Sequence, residues 1–166
     1  QWDHKSRLNT WLVDLLGARV EFDGCDYSDL IAEVGRRWMI AAVARAFKPG
    51  SKQDCVLILK GGQGTFKSTA VRGRGGRHGE FFSDSGIDLK SKDAYQQIRG
   101  VWIYEFAELD SMDRSTQNGV KRFLSSDTDR YRPTYGATVV SVKRSTVFCG
   151  TTNEDEFLKD LTGNRR

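Results

Sequence analysis

The segment from Cys55 to Thr69 constrains this chain more than any other. A short apolar run, Cys55-Val56-Leu57-Ile58-Leu59, passes directly into Lys60-Gly61-Gly62-Gln63-Gly64-Thr65-Phe66-Lys67-Ser68-Thr69. Five apolar residues in a row, bounded by turn residues, suit a strand buried on both faces of a parallel sheet. A glycine separated by four residues from a Gly-Lys-Ser/Thr triplet, between a strand and a helix, marks a phosphate-binding loop. Gly61, Lys67 and Ser68 hold those places. Glycines let successive backbone N–H groups converge on phosphate oxygens, and the start of the next helix adds partial positive charge. Gly61, Gly62, Gln63, Gly64, Thr65, Lys67, Ser68 and Thr69 are therefore the expected nucleotide-binding residues. Lys67 would reach the β- and γ-phosphates and Ser68 would ligate Mg²⁺. One position departs from the pattern: Phe66 stands where glycine is expected, and its side chain must turn away from the nucleotide.

Two further runs repeat the strand pattern. Val101-Trp102-Ile103-Tyr104 leads into acidic residues, and Ser145-Thr146-Val147-Phe148-Cys149 leads into Gly150-Thr151-Thr152-Asn153. Arg114 to Ser125 reads as a helix between them, weakened by Gly119. Strands alternating with helices predict an α/β domain with a mostly parallel sheet. Ahead of it, residues 1–50 read as a helical segment. Asn9 to Leu16 presents Trp11, Leu12, Leu15 and Leu16 on one face and ends at Gly17. A longer helix follows, with Ser28 as N-cap and Leu30, Ile31, Val34, Trp38, Met39, Ala42, Val43 and Phe47 at three- and four-residue steps, ended by Pro49-Gly50. Residues 51–166 form the expected core.

A neighbouring strand must supply carboxylates if the loop serves ATP hydrolysis. Glu105 ends the apolar run and is the expected magnesium residue, with Glu108 as the group that activates water. Asp110 and Asp113 read as capping or solvated groups. Asn153, at the tip of the third strand, suits a residue that holds water or senses the γ-phosphate. Arg165 or Arg166 would act as an arginine finger on a neighbouring subunit's nucleotide. After Val71 the chain reads Arg72-Gly73-Arg74-Gly75-Gly76-Arg77-His78-Gly79, four glycines in eight positions, so the helix should stop near Arg72. That run reads either as a flexible cationic segment for nucleic acid or as a solvated loop.

Bulk properties narrow the class. At 166 residues with 38% hydrophobic and 29% charged side chains, the chain suits one soluble globular domain. Cys25, Cys55 and Cys149 lack paired spacing for zinc, and Cys55 and Cys149 lie in strand-like runs. They read as buried, reduced thiols of a cytoplasmic protein. The longest apolar run, Trp38 to Ala44, has seven residues, far short of the ~20 needed to span a bilayer. Residues 1–54 carry eight basic and eight acidic groups, so the excess of +4 lies in residues 55–166. Its densest part is Arg130 to Arg144, where clustered cations and interleaved tyrosine suit a phosphate backbone. Gln at position 1 and the ending Asn164-Arg165-Arg166 are read as a segment of a longer chain.

The blocks together resemble a known family. Gly61 to Thr69, Ile98 to Glu105, Ala107-Glu108-Leu109-Asp110, Asp129-Arg130-Tyr131-Arg132-Pro133, Gly150 to Asn153 and Thr162 to Arg166 are similar, in this order, to the virulence-associated protein E family of phages, prophages and pathogenicity islands. The resemblance runs from Trp11 to Arg166. It implies a P-loop ATPase core related to AAA+ and superfamily-3 helicases, acting as a ring on DNA in a bacterial host, often fused to a primase domain. It further implies Lys67 and Ser68 as Walker A, Glu105 and Glu108 as Walker B, Asn153 as sensor 1, and Arg165 or Arg166 as the finger. A hairpin before sensor 1 touches DNA in related helicases. Here Arg132-Pro133-Thr134-Tyr135-Gly136 and Val139 to Arg144 carry its turn and alternation. Arg132, Lys143 and Arg144 would contact phosphates while Tyr135 stacks on a base. Phe66 and the run at 72–79 depart from the family pattern. The competing readings are a catalytically impaired nucleic-acid-binding remnant and, more distantly, a small-molecule kinase on the same core.

Overall fold

The computed structural model describes residues 3–89, 91, 93–107 and 114–154, with the side chains of 114–118 excepted. Helix α1 (Trp11–Leu16) ends at Gly17, whose φ of 62° is the left-handed value that glycine tolerates. Its N–H bonds back to Val13 O, and Ala18 N–H to Leu12 O. A two-stranded ribbon, β1 (Glu21–Phe22) and β2 (Cys25–Asp26), leads into the twenty-residue helix α2 (Ser28–Phe47). The N-cap is Tyr27, one residue before the expected Ser28. Ser28 is already helical, and the Asp26 carboxylate accepts its N–H at 2.8 Å.

The main sheet is parallel, in the order β3 (Leu57–Lys60), β8 (Val147–Thr152), β5 (Ile103–Phe106), β4 (Phe82–Ser83). Helices α3 (Lys67–Arg72) and α4 (Ala94–Gln97) precede β5, and α5 (Arg114–Leu124) follows it. Strands β6 (Thr128–Tyr131) and β7 (Val140–Lys143) form a separate antiparallel hairpin. This is a mixed α/β fold with a parallel sheet, as the strand-helix alternation predicts.

Alternation along the strands sorts side chains onto two faces. On one, Ile103, Val147, Cys149 and Leu57 pack with Trp11, Leu12, Trp38, Ala42 and Val71. On the other, Tyr104, Phe106 and Phe148 pack with Ala94, Ile98, Val120, Phe123 and Leu124. The first two helices thus share one core with the sheet. Trp38 Nε1 donates to Phe148 O at 2.9 Å, and Trp102 Nε1 to Ala42 O at 2.8 Å, which satisfies two indole donors inside that core.

Several expectations change. The first strand begins at Leu57, so Cys55 precedes it and is exposed, as is Cys25; Cys149 alone of the three is buried. The predicted α2 face is only partly covered: Trp38 and Ala42 are buried, whereas Leu30, Val34, Val43 and Phe47 are exposed. Helix α3 does stop at Arg72. The glycine-arginine run beyond it is packed in part: Gly73, Arg77 and His78 are exposed, as a solvated cationic loop would have them, while Gly75 is not. Gly75 is buried so close to Phe82 that a Cβ there would lie 2.6 Å from Phe82 Cβ. Arg74 lies over the Trp11 ring, and Arg72 pairs with Asp84 at 3.3 Å.

Candidate functional site

The period of two brings the chemistry to one place. On β5, Glu105 lies on the same face as Ile103, toward α3, and pairs in register with Cys149 of β8. Two residues on, Thr151 shares that face. The Glu105 carboxylate is 1% exposed; its Oε1 accepts from Ser68 Oγ at 2.6 Å and from Thr151 Oγ1 at 2.7 Å. Its Oε2 is buried and has no hydrogen-bond partner among the described residues. Glu105 therefore stands inside the strand rather than at its end, since Phe106 continues β5 beyond it.

Lys67 closes the other side. Its Nζ donates to Gly61 O at 2.7 Å, Gly62 O at 2.9 Å, Thr65 Oγ1 at 3.3 Å and Asn153 Oδ1 at 3.0 Å. Loop, helix and the tip of β8 thus meet at one ammonium. Gly62, Gln63, Gly64, Thr65, Phe66, Thr69 and Asn153 are exposed around it, with Gly61, Lys67 and Ser68 half-buried. Gly64 has φ 78°, which its missing Cβ permits. Phe66 has φ 57° and is 75% exposed, so the ring turns outward as expected, at the cost of a left-handed backbone.

A cavity of about 450 Å³ adjoins the loop, lined by Leu12, Leu16, Ala18, Arg19 and Ile31 on the helical side and by Gly61, Thr65 and Lys67 on the loop side. The sequence patterns did not reveal it. It depends on where α1 turns into Ala18, and the only signal was the glycine stop at Gly17.

Cys149 sits behind the carboxylate. Burial first, and then the Glu105 charge, push its thiol pKa upward. Thr151, which shares the Glu105 oxygen with Ser68, had no role assigned from sequence. Its signal was its position two residues past Cys149 on an inward face.

The hairpin forms as predicted, with Thr128 opposite Lys143 and Tyr131 opposite Val140. Tyr135, at φ 64°, is fully exposed in the connection between the strands. Arg132 Nε donates to Gly136 O at 2.7 Å and Gly136 N–H to Pro133 O at 2.8 Å, which shapes the turn. Arg132 and Lys143 are exposed, and Lys143 Nζ also donates to Thr128 Oγ1 at 3.0 Å.

Arg144 corrects an expectation. Expected on a DNA phosphate, its side chain is fully buried and ion-paired with Asp129. Strand alternation on β6 turns Asp129 inward beside Tyr131, and an unpaired guanidinium or carboxylate could not remain there. The acid on the tyrosine face was the available sequence signal.

Glu108, Asp110, Asp113, Arg165 and Arg166 lie outside the described residues. Among the described residues, Ser68 Oγ and the Glu105 carboxylate are the adjacent oxygens that a hard divalent cation beside the loop would meet. No helix of the described residues is long and apolar enough to cross a membrane.

These features define an α/β protein in which a glycine loop, a lysine and a buried strand carboxylate converge. The chain belongs to the virulence-associated protein E-like domain family, matched over residues 1–166. Among solved structures, the apo structure of the NrS-1 C-terminal region (305–718) resembles it at 19% identity and a TM-score of 0.53. The likeness covers 81% of this chain and 33% of that one, so the chain spans about a third of that structure's length. No curated protein sequence is significantly similar to it.

Proposed function

We propose that this chain is a Mg²⁺-dependent ATPase module of phage or mobile-element replication, acting on DNA as a ring. The observation that carries the reading is the buried Glu105 carboxylate, with one oxygen held by Ser68 and Thr151 and the other without a partner among the described residues. A buried carboxylate oxygen left bare is costly unless a cation or water completes it. Mg²⁺ keeps most of its waters and takes one or two protein oxygens plus substrate phosphates, which fits a Ser hydroxyl and one carboxylate. When bound, the ion would neutralise charge on the transferring phosphoryl group.

The remaining roles follow from the chain's own groups. Backbone N–H groups of the loop at 61–66 would cradle phosphate oxygens. Lys67 now holds Gly61 O and Gly62 O; a triphosphate would offer its ammonium stronger, charge-assisted acceptors. Asn153, already on Lys67, would orient water at the same end. Glu108 remains the proposed base and Arg165 or Arg166 the proposed finger. The cavity beside Leu16 and Ile31 has the volume and apolar walls for a nucleoside. Exposed Arg132, Tyr135 and Lys143 give the hairpin two cations and a stacking ring for DNA.

The test is ATP turnover by the purified chain with Mg²⁺, with and without single-stranded DNA. Turnover that depends on Mg²⁺, rises with DNA and is abolished in Lys67→Ala supports the reading. Absence of hydrolysis under all conditions overturns it. Salt-sensitive DNA binding without measurable ATP affinity would instead favour a nucleic-acid-binding module with a degenerate pocket.

A further inference from the structure

The hairpin and the site are linked by very little chain. Strand β7 ends at Lys143 and β8 begins at Val147, so three residues separate the arm that carries Tyr135 from the strand that carries Thr151 and leads to Asn153. A joint that short transmits motion only if it is stiff. Arg144, the first of the three, supplies the stiffness. Its Nε lies 3.0 and 3.1 Å from the two Asp129 oxygens, Nη2 also bonds Asp129, and Nη1 donates to Phe123 O in the last turn of α5. The guanidinium carbon is 4.5 Å from the Phe123 ring centroid and 5.4 Å from that of Phe148, a β8 residue. One planar cation therefore grips β6, α5 and β8 together.

The third joint residue, Thr146, is held as well. Thr146 Oγ1 donates to Val101 O at 2.7 Å and to Ile98 O at 3.1 Å, while its carbonyl accepts from Arg45 Nη1 at 2.5 Å. Arg45 comes from α2, and its guanidinium also donates to Ser51 O at 3.0 Å and Gln53 O at 3.4 Å. A solvent-exposed joint would yield under small forces, but packed, hydrogen-bonded groups do not deform continuously.

We infer that Arg144 and Asp129 are positioning residues that couple occupancy of the glycine-loop site to the pose of the hairpin. The inference rests on the nucleotide reading above. Glu105 and Lys67 hold one end of β8 through Thr151 and Asn153, and the clamp holds the other; a shift of β8 as phosphate displaces Lys67 from Asn153 is passed to β6 and β7. Lysine cannot replace the arginine, because a point charge offers neither the fork to Asp129 nor the flat face to the two rings.

Hydrogen exchange of the whole chain with and without Mg–ATP tests this, alongside turnover with and without single-stranded DNA. In the parent, ATP slows exchange at residues 60–69 and alters it at residues 128–143. In D129L/R144M, which keeps the space apolar and filled, the 60–69 response and DNA-free turnover persist while the hairpin response and DNA stimulation fall at least about fivefold. R144K moves both readouts in the same direction. A full hairpin response in D129L/R144M overturns the coupling. So does a parent that responds at 60–69 but not at 128–143, and that outcome leaves the nucleotide reading intact. A parent with no response at 60–69 overturns the nucleotide reading and the coupling with it.

Discussion

Ser68 and Glu105, 37 residues apart in sequence, meet at 2.6 Å with the hydroxyl donating to the carboxylate. Helix α3 and strand β5 are locked to each other at the proposed cation site. Breaking the pair's charge without its shape separates chemistry from stability. Glu105→Gln can still accept from Ser68 and Thr151 and removes a buried charge, so the thermal midpoint should hold or rise. ATP turnover should fall at least ~100-fold, as for loss of a group that stabilises developing charge. Turnover assays and thermal melts on the same preparation check this.

Phe66 holds a left-handed backbone with its ring outside the site. Phe66→Gly relieves roughly 1–2 kcal/mol of strain and gives back about 0.4–1 kcal/mol through a freer unfolded chain. Net stabilisation of about 0.5 kcal/mol is expected, readable in urea unfolding. ATP affinity should barely change, because the ring already points away; a gain of tenfold or more in calorimetric titration, about 1.4 kcal/mol, would show that Phe66 obstructs the loop.

Tyr135→Ala should weaken single-stranded DNA binding by about 1–3 kcal/mol, the loss of one base stack, with no change in unfolding free energy. Arg132→Ala should lower the slope of log affinity against log salt by about 0.7. Fluorescence anisotropy over a salt series distinguishes the two.

Asp129→Ala leaves the Arg144 guanidinium buried without its partner and should cost about 3–5 kcal/mol in chemical denaturation. D129L/R144M should recover most of that loss, since a filled apolar site replaces the ion pair.

The cysteines should differ in reactivity. Thiolate is the nucleophile, and burial beside Glu105 keeps Cys149 protonated above the ordinary thiol range. At pH 8 a maleimide should modify Cys25 and Cys55 in the folded protein, and Cys149 only after denaturation; intact mass reads the count.

What could be read in the sequence followed from local rules. Gly17 ending α1, Arg72 ending α3, and the glycine loop between a strand and a helix are consequences of backbone freedom and propensity, which a few adjacent residues decide. Asn153 and Glu105 can be placed because each follows an apolar run that marks a strand of the sheet. The misreadings involve long-range partners. On an alternating hairpin Arg144 reads as a cation for DNA phosphates, because the local sequence does not show that Phe123 and Phe148 wall it in. Strand β4 went unseen, since two residues following a glycine run carry no period, and its place is fixed by pairing with Ile103 and Tyr104. Thr151 carries no local signal of its task, which appears only when β5 lies alongside and brings Glu105 to its hydroxyl.

Strand β3 lies at the rim of the sheet, paired with β8 alone among the described residues. The strand that delivers the glycine loop is therefore laddered on one side and depends on α1 and α2 for the rest of its support. Any event that loosens those helices, a binding partner on their exposed apolar residues included, would slacken the loop before it reached the centre of the sheet.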